Sequence, residues 1–136
     1  MNDPGMHFYD REIIEARERM APVFGMTTDD DWPEINHQSM EIVYDHLKSN
    51  VSFPFHAEFS MPDPEKGGET ITDIQVDKIL DPDAIEETEA YGLICEARDG
   101  RGGFRVPLSE IVIKQDDPNF NLIEDYCIWY WEVKKS

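Results

Sequence analysis

The sequence predicts an α+β fold, a small antiparallel β-barrel or curled sheet of about 4–5 strands with helices before it and a helical segment after it. Three observations carry this prediction. Apolar residues recur at helical spacing up to about residue 50, the period shortens to two from Val51, and helical spacing returns after Asn119. At 136 residues, with 40% hydrophobic content and 15 aromatic side chains, the chain suits a single domain burying roughly two-thirds of its unfolded surface. Residues 1–50 read as a helical N-terminal extension and 51–133 as a strand-rich region.

From about Tyr9 to Met20, Ile13, Ile14, Arg17 and Met20 fall at helical spacing, with Asp10, Glu12 and Glu15 near the start, where the helix dipole favours anions. Gly25, Thr27, Thr28 and Asp29 to Asp31 then make a loop. Pro33 is placed to open a second helix whose inner stripe is Ile35, Ser39, Ile42, Val43, His46 and Leu47, ending near Ser49 and Asn50. Val51 to Phe59 alternates as a half-buried strand, and Pro54 implies an edge or a bulge. Thr70 to Leu80 reads as a second strand with Ile74 and Val76 on one side and Asp73, Gln75 and Asp77 on the other. Residues 81–90 read as a loop, after which Tyr91, Leu93, Cys95 and Ala97 alternate along a third strand. Asp99-Gly100 signals a hairpin turn, and Phe104, Val106 and Leu108 form the return strand. Asn119 opens the last helix, with Leu122, Ile123, Tyr126, Cys127 and Tyr130 on one stripe and Trp129 and Trp131 beside it.

The net charge of −18 is unevenly spread: from Asp63 to Asp99 there are 12 Asp/Glu against Lys66, Lys78 and Arg98, half of the total. Such a field repels nucleic acid and anionic membranes, so neither is an expected partner. It attracts cations or a basic protein, and the second candidate reading is an acidic interaction module without a specific metal site, with either the N-terminal helices as a docking surface or the carboxylates imitating nucleic-acid phosphates for a basic partner. MNDPGMHFYDREII has no basic start and no continuous apolar run, so a cytoplasmic location is expected. Cys95 and Cys127 are too few for a disulfide framework and read as reduced packing residues.

Asp81, Asp83, Glu86, Glu87 and Glu89 form the candidate metal site, because calcium takes roughly six to eight oxygen ligands and a flexible acidic loop can supply them. The alternative is a solvated acidic loop. It is not an EF-hand: counting from Asp81, position five is Ile85, position six is Glu86 in place of Gly, and position twelve is Gly92 in place of Glu. Asp29, Asp30, Asp31 and Glu34 are explained by capping before a helix. His37 and Glu41 stand one helical turn apart and read as a surface pair. His56 beside Glu58 could serve as a general base, yet no nucleophile is partnered with it, so a non-enzymatic protein is expected. With Cys and His unclustered, calcium is expected to be preferred over zinc and over magnesium.

PFHAEF at Pro54 to Phe59, FRVPLSEI at Phe104 to Ile111 and WYW at Trp129 to Trp131 resemble the cyanobacterial-type calcium-binding family known as CcbP. Leu93, Ile94 and Cys95, then Val106, Pro107, Leu108 and Ser109, stand in the family's order, and the resemblance spans roughly Val51 to Val133. It implies calcium binding through acidic surface residues without an EF-hand, in an intracellular buffer or sensor. If Trp131 matches the family's last Trp, Cys127 and Ile128 stand where Asp and Trp are usual, so a ligand role at that Asp does not carry over.

Overall fold

The computed structural model describes residues 8–63 and 65–135. Helices α1 (Phe8–Phe24) and α2 (His37–Asn50) come first, then strands β1 (Phe55–Pro62) and β2 (Glu69–Ile79). A short helix α3 (Glu87–Tyr91) leads into the hairpin β3 (Ile94–Asp99) and β4 (Gly102–Pro107). A 3-10 turn (Leu108–Glu110), the two-residue strand β5 (Ile111–Val112) and helix α4 (Phe120–Lys134) complete the order.

The sheet order is β4-β3-β2-β1-β5, with every neighbouring pair antiparallel. Because β4 and β5 lie at opposite margins, the sheet is open; of the two expected architectures, the curled sheet is the one formed and the closed barrel is not. The edges are kept unattractive for further pairing: β5 is two residues long, and β4 carries Gly102, Gly103, Arg105 and Pro107.

One face of the sheet is apolar because the strands alternate. Phe55, Ala57, Ile74, Val76, Cys95, Ala97 and Val106 point into a core completed by Met20 of α1, Met40, Val43 and Leu47 of α2, and Ile123, Tyr126, Trp129 and Tyr130 of α4. Trp129 is fully buried between Phe24 and Tyr126, and its indole N–H donates to the Pro33 carbonyl at 3.0 Å. The segments that carry the family resemblance dock on each other: the Trp131 indole N–H donates to the Ser109 carbonyl at 3.0 Å, and the Cys127 thiol lies 3.6 Å from the Leu108 carbonyl. Gly92, between α3 and β3, has φ +76, and a Cβ there would lie 2.5 Å from the Tyr126 hydroxyl, so only glycine fits. That hydroxyl accepts from the Leu93 N–H at 2.9 Å.

Several boundaries differ from the sequence expectation. Helix α1 continues past Met20 to Phe24 and stops in a Schellman turn, in which Met26 N–H bonds the Ala21 carbonyl, Gly25 N–H bonds the Pro22 carbonyl, and Gly25 has φ +70. Its inner side is Ala16, Met20 and Ala21, leaving Ile14 exposed. Helix α2 starts at His37, not Pro33: Asn36 and Ser39 form a reciprocal capping box, and Met40 rather than Ile42 is buried. β1 starts at Phe55, because the Val51 N–H closes α2 on the Leu47 carbonyl and Asn119 holds Ser52. β1 is also interior, between β2 and β5, with Pro54 just ahead of it. Tyr91 belongs to α3 and is exposed.

Candidate metal centre

The acidic segment after β2 is not uniform. Asp81 closes a turn: its Oδ1 accepts from the Asp83 N–H and its carbonyl from the Ala84 N–H, both at 2.9 Å. Glu87 turns to the sheet, where Arg105 Nη1 donates to its Oε2 at 2.9 Å. Asp83, Glu86 and Glu89 instead line a cleft of about 540 Å³ shared with Asn36, His37 and Met40 of the α2 start. Of the five predicted ligands, three therefore line one cleft, while Asp81 and Glu87 are engaged elsewhere.

Helix α2 brings the far wall. His37 is its first residue and Glu41 stands one turn later on the same side. His37 Nε2 lies 2.8 Å from Asp83 Oδ1 and 3.0 Å from Glu41 Oε1. These three donor atoms all fall within 4.8 Å of one another. A hydrogen bond with Asp83, then desolvation and the Asp83 charge, hold the Glu41 carboxyl above the usual carboxylate range, with His37 pulling it back. Among the described residues no Lys or Arg lines the cleft. Thr88 does, and it is only 7% exposed; its hydroxyl is the buried side-chain polar atom left without a hydrogen-bond partner among the described residues. Such a group ordinarily finds a partner, so this wall suits a polar occupant. Ile35, Met40, Pro82 and Ile85 make the rest of the lining apolar, and the exposed carboxylate oxygens beside it suit a hard cation such as calcium.

The His37–Glu41 spacing was visible in the sequence, but nothing local announced that Asp83 would join it. Thr88 carried no signal either, since its importance lies in its burial.

Other acidic groups are accounted for differently. Asp30 closes its own loop, accepting from the Thr27 N–H at 2.9 Å while its carbonyl takes a hydrogen bond from Arg17, and α2 is capped by Asn36 rather than by the three aspartates. On the open face of the sheet Glu58 lies directly opposite Asp73, beside a cleft of about 590 Å³ that Asp116, Asp117 and Lys114 also line. Like charges facing across a strand pair are unfavourable, which makes this the rival location. His46 lies beside Asn50, and burial pushes both the Cys95 and Cys127 thiols up, so neither offers a thiolate at neutral pH.

A family model, Calci_bind_CcbP, described as calcium binding, matches residues 23–130. The match takes in α2 and so reaches further toward the N-terminus than the span expected from motifs. Two solved structures share the fold. The crystal structure of Anabaena CcbP is 16% identical, with a TM-score of 0.58 over 85% of this chain and 89% of that one. A calcium binding protein in the calcium-binding form is 20% identical, with a TM-score of 0.60 over 93% of this chain and 97% of that one. No curated protein matches the sequence.

Proposed function

Since this chain belongs to the CcbP family of calcium-binding proteins, we propose that it takes up calcium in the cleft between the start of α2 and residues 83–89. Asp83, Glu86 and Glu89 are the proposed side-chain ligands, with Glu41 beside Asp83 as a further candidate. Asp81 orders the turn that presents Asp83, and Glu87 with Arg105 anchors α3 to the sheet. The observation that supports this reading is the cleft itself, which Asp83, Glu86 and Glu89 line and which, among the described residues, no lysine or arginine lines. In the cell the protein acts as a non-enzymatic cytoplasmic calcium buffer or sensor.

The test compares two triple variants of equal charge change by calcium titration in moderate salt. Asp83→Asn with Glu86→Gln and Glu89→Gln is expected to weaken calcium binding at least tenfold, about 1.4 kcal/mol. Glu58→Gln with Asp73→Asn and Asp116→Asn, on the open sheet face, is expected to change it less than threefold. The reverse order moves the site to the sheet. Equal modest losses mean a diffuse acidic field, the behaviour of a module that attracts basic partners rather than one with a coordinated site.

A further inference from the structure

We infer that His37, Glu41 and Asp83 form a second kind of cation site, one that takes a borderline divalent transition metal of the zinc type through one imidazole nitrogen and two carboxylate oxygens. The inference goes beyond calcium binding and does not depend on where calcium sits, although Asp83 and Glu41 are common to both readings.

The donor set is what distinguishes the ions. Calcium and magnesium are hard cations that take oxygen, whereas imidazole suits zinc and its neighbours. An imidazole placed at the meeting point of two carboxylates is therefore of no special use to calcium, yet it completes three of the four positions of a zinc site, leaving one for water. In a tetrahedron with ligands at roughly 2.0–2.2 Å, neighbouring donor atoms lie roughly 3.4 Å apart. The observed separations of 2.8 and 3.0 Å around His37 Nε2 need to widen by only a few tenths of an ångström. The side chains are free to do so: His37, Glu41 and Asp83 are 67%, 43% and 53% exposed. Their backbones are fixed, by the capping box at the start of α2 and by the Asp81 turn, so the site is preorganised where it must be and adjustable where it can be. A second observation points the same way. Thr88, whose buried hydroxyl has no hydrogen-bond partner among the described residues, lines the cleft that His37 and Asp83 also line, so an unmet polar group lies in the same wall.

The probe is zinc chloride, titrated into the full chain in a buffer that does not bind metals. Saturable one-to-one binding that survives moderate salt is expected, and zinc should displace the nitrogen resonance of the His37 imidazole more than those of the other three histidines. His37→Gln should lower zinc affinity at least tenfold while calcium affinity changes less than twofold. Glu41→Gln, which leaves His37 in place, should also lower zinc affinity at least tenfold. Unchanged zinc affinity in His37→Gln, or an unmoved His37 resonance, overturns the inference; so does an equal loss of calcium and zinc, which would mean that His37 merely holds the cleft together. If the calcium ligands prove to lie on the sheet while zinc still depends on His37, the calcium placement fails and this site stands.

Discussion

Glu124 is a carboxylate that the fold places at a disadvantage. Burial against the helices, then the charges of Glu12 and Asp125, raise its carboxyl above the usual value. Its neighbour Asp125 is raised chiefly by burial too, but Arg19 grips both Asp125 oxygens at 2.7 Å, and among the described residues no comparable ion pair holds Glu124. A folded-state value above the unfolded one means that the neutral acid is favoured by folding. Its contribution is complete below the unfolded pKa, and is lost as pH rises through the raised folded value. Glu124→Gln keeps the neutral shape at every pH. It should therefore exceed the parent in stability at pH 7 by at most about half a kcal/mol after solvent screening, and the difference should close below about pH 4. Urea unfolding at the two pH values checks this. The sequence indicated that this stretch is helical and which side is apolar. It did not indicate that Asp125 is buried against Arg19, because that partner comes from α1 at the other end of the chain.

The elements were legible wherever a pattern repeats. Ile74 and Val76 point inward from β2, opposite Asp73 and Gln75, as the period of two requires, and Asp99 turns the hairpin by accepting from the Arg101 and Gly102 N–H groups. Element ends were less legible, since they are set by single hydrogen bonds. Alternation beginning at Val51 predicted a strand there, but the Ser52 N–H donates to Asn119 Oδ1 at 2.9 Å and the Ser52 carbonyl accepts from Asn119 Nδ2 at 3.0 Å. Both backbone groups are thereby taken from the ladder by a side chain distant in sequence. Asn119 is buried and so doubles as a clamp between the α2–β1 connection and the start of α4. Asn119→Ala removes both hydrogen bonds to Ser52, each worth about 0.5–1.5 kcal/mol, and should cost about 1–3 kcal/mol, measured as a lower urea midpoint at constant slope. A change in slope instead would mean that β1 or α4 had frayed.

At the scale of the molecule, a net charge of −18 opposes compaction, and any ion bound by the folded chain in preference to the unfolded one stabilises it by mass action. At a hundredfold excess of calcium over its dissociation constant the gain is about 2.7 kcal/mol, a rise in melting temperature of roughly 5 to 10 degrees. Potassium chloride at equal ionic strength should give less, because it only screens; superimposable melting curves in the two salts would refute site-like binding. Whether the strands would close into a barrel was not decided by their patterns, since closure depends on which margins meet, and here the brevity of β5 and its place beside β1 leave the sheet open. Among the described residues no helix is long and apolar enough to cross a membrane. The cleft has a last consequence. One wall is the first turn of α2 and the other is the stretch around Asp83, so the pocket exists only while the chain is folded. Unlike a helix–loop–helix calcium module, it cannot be excised as a peptide, transplanted as a loop or found by a linear pattern. A synthetic fragment spanning residues 81–91 carries Asp83, Glu86 and Glu89 but lacks the α2 wall that they face across the cleft.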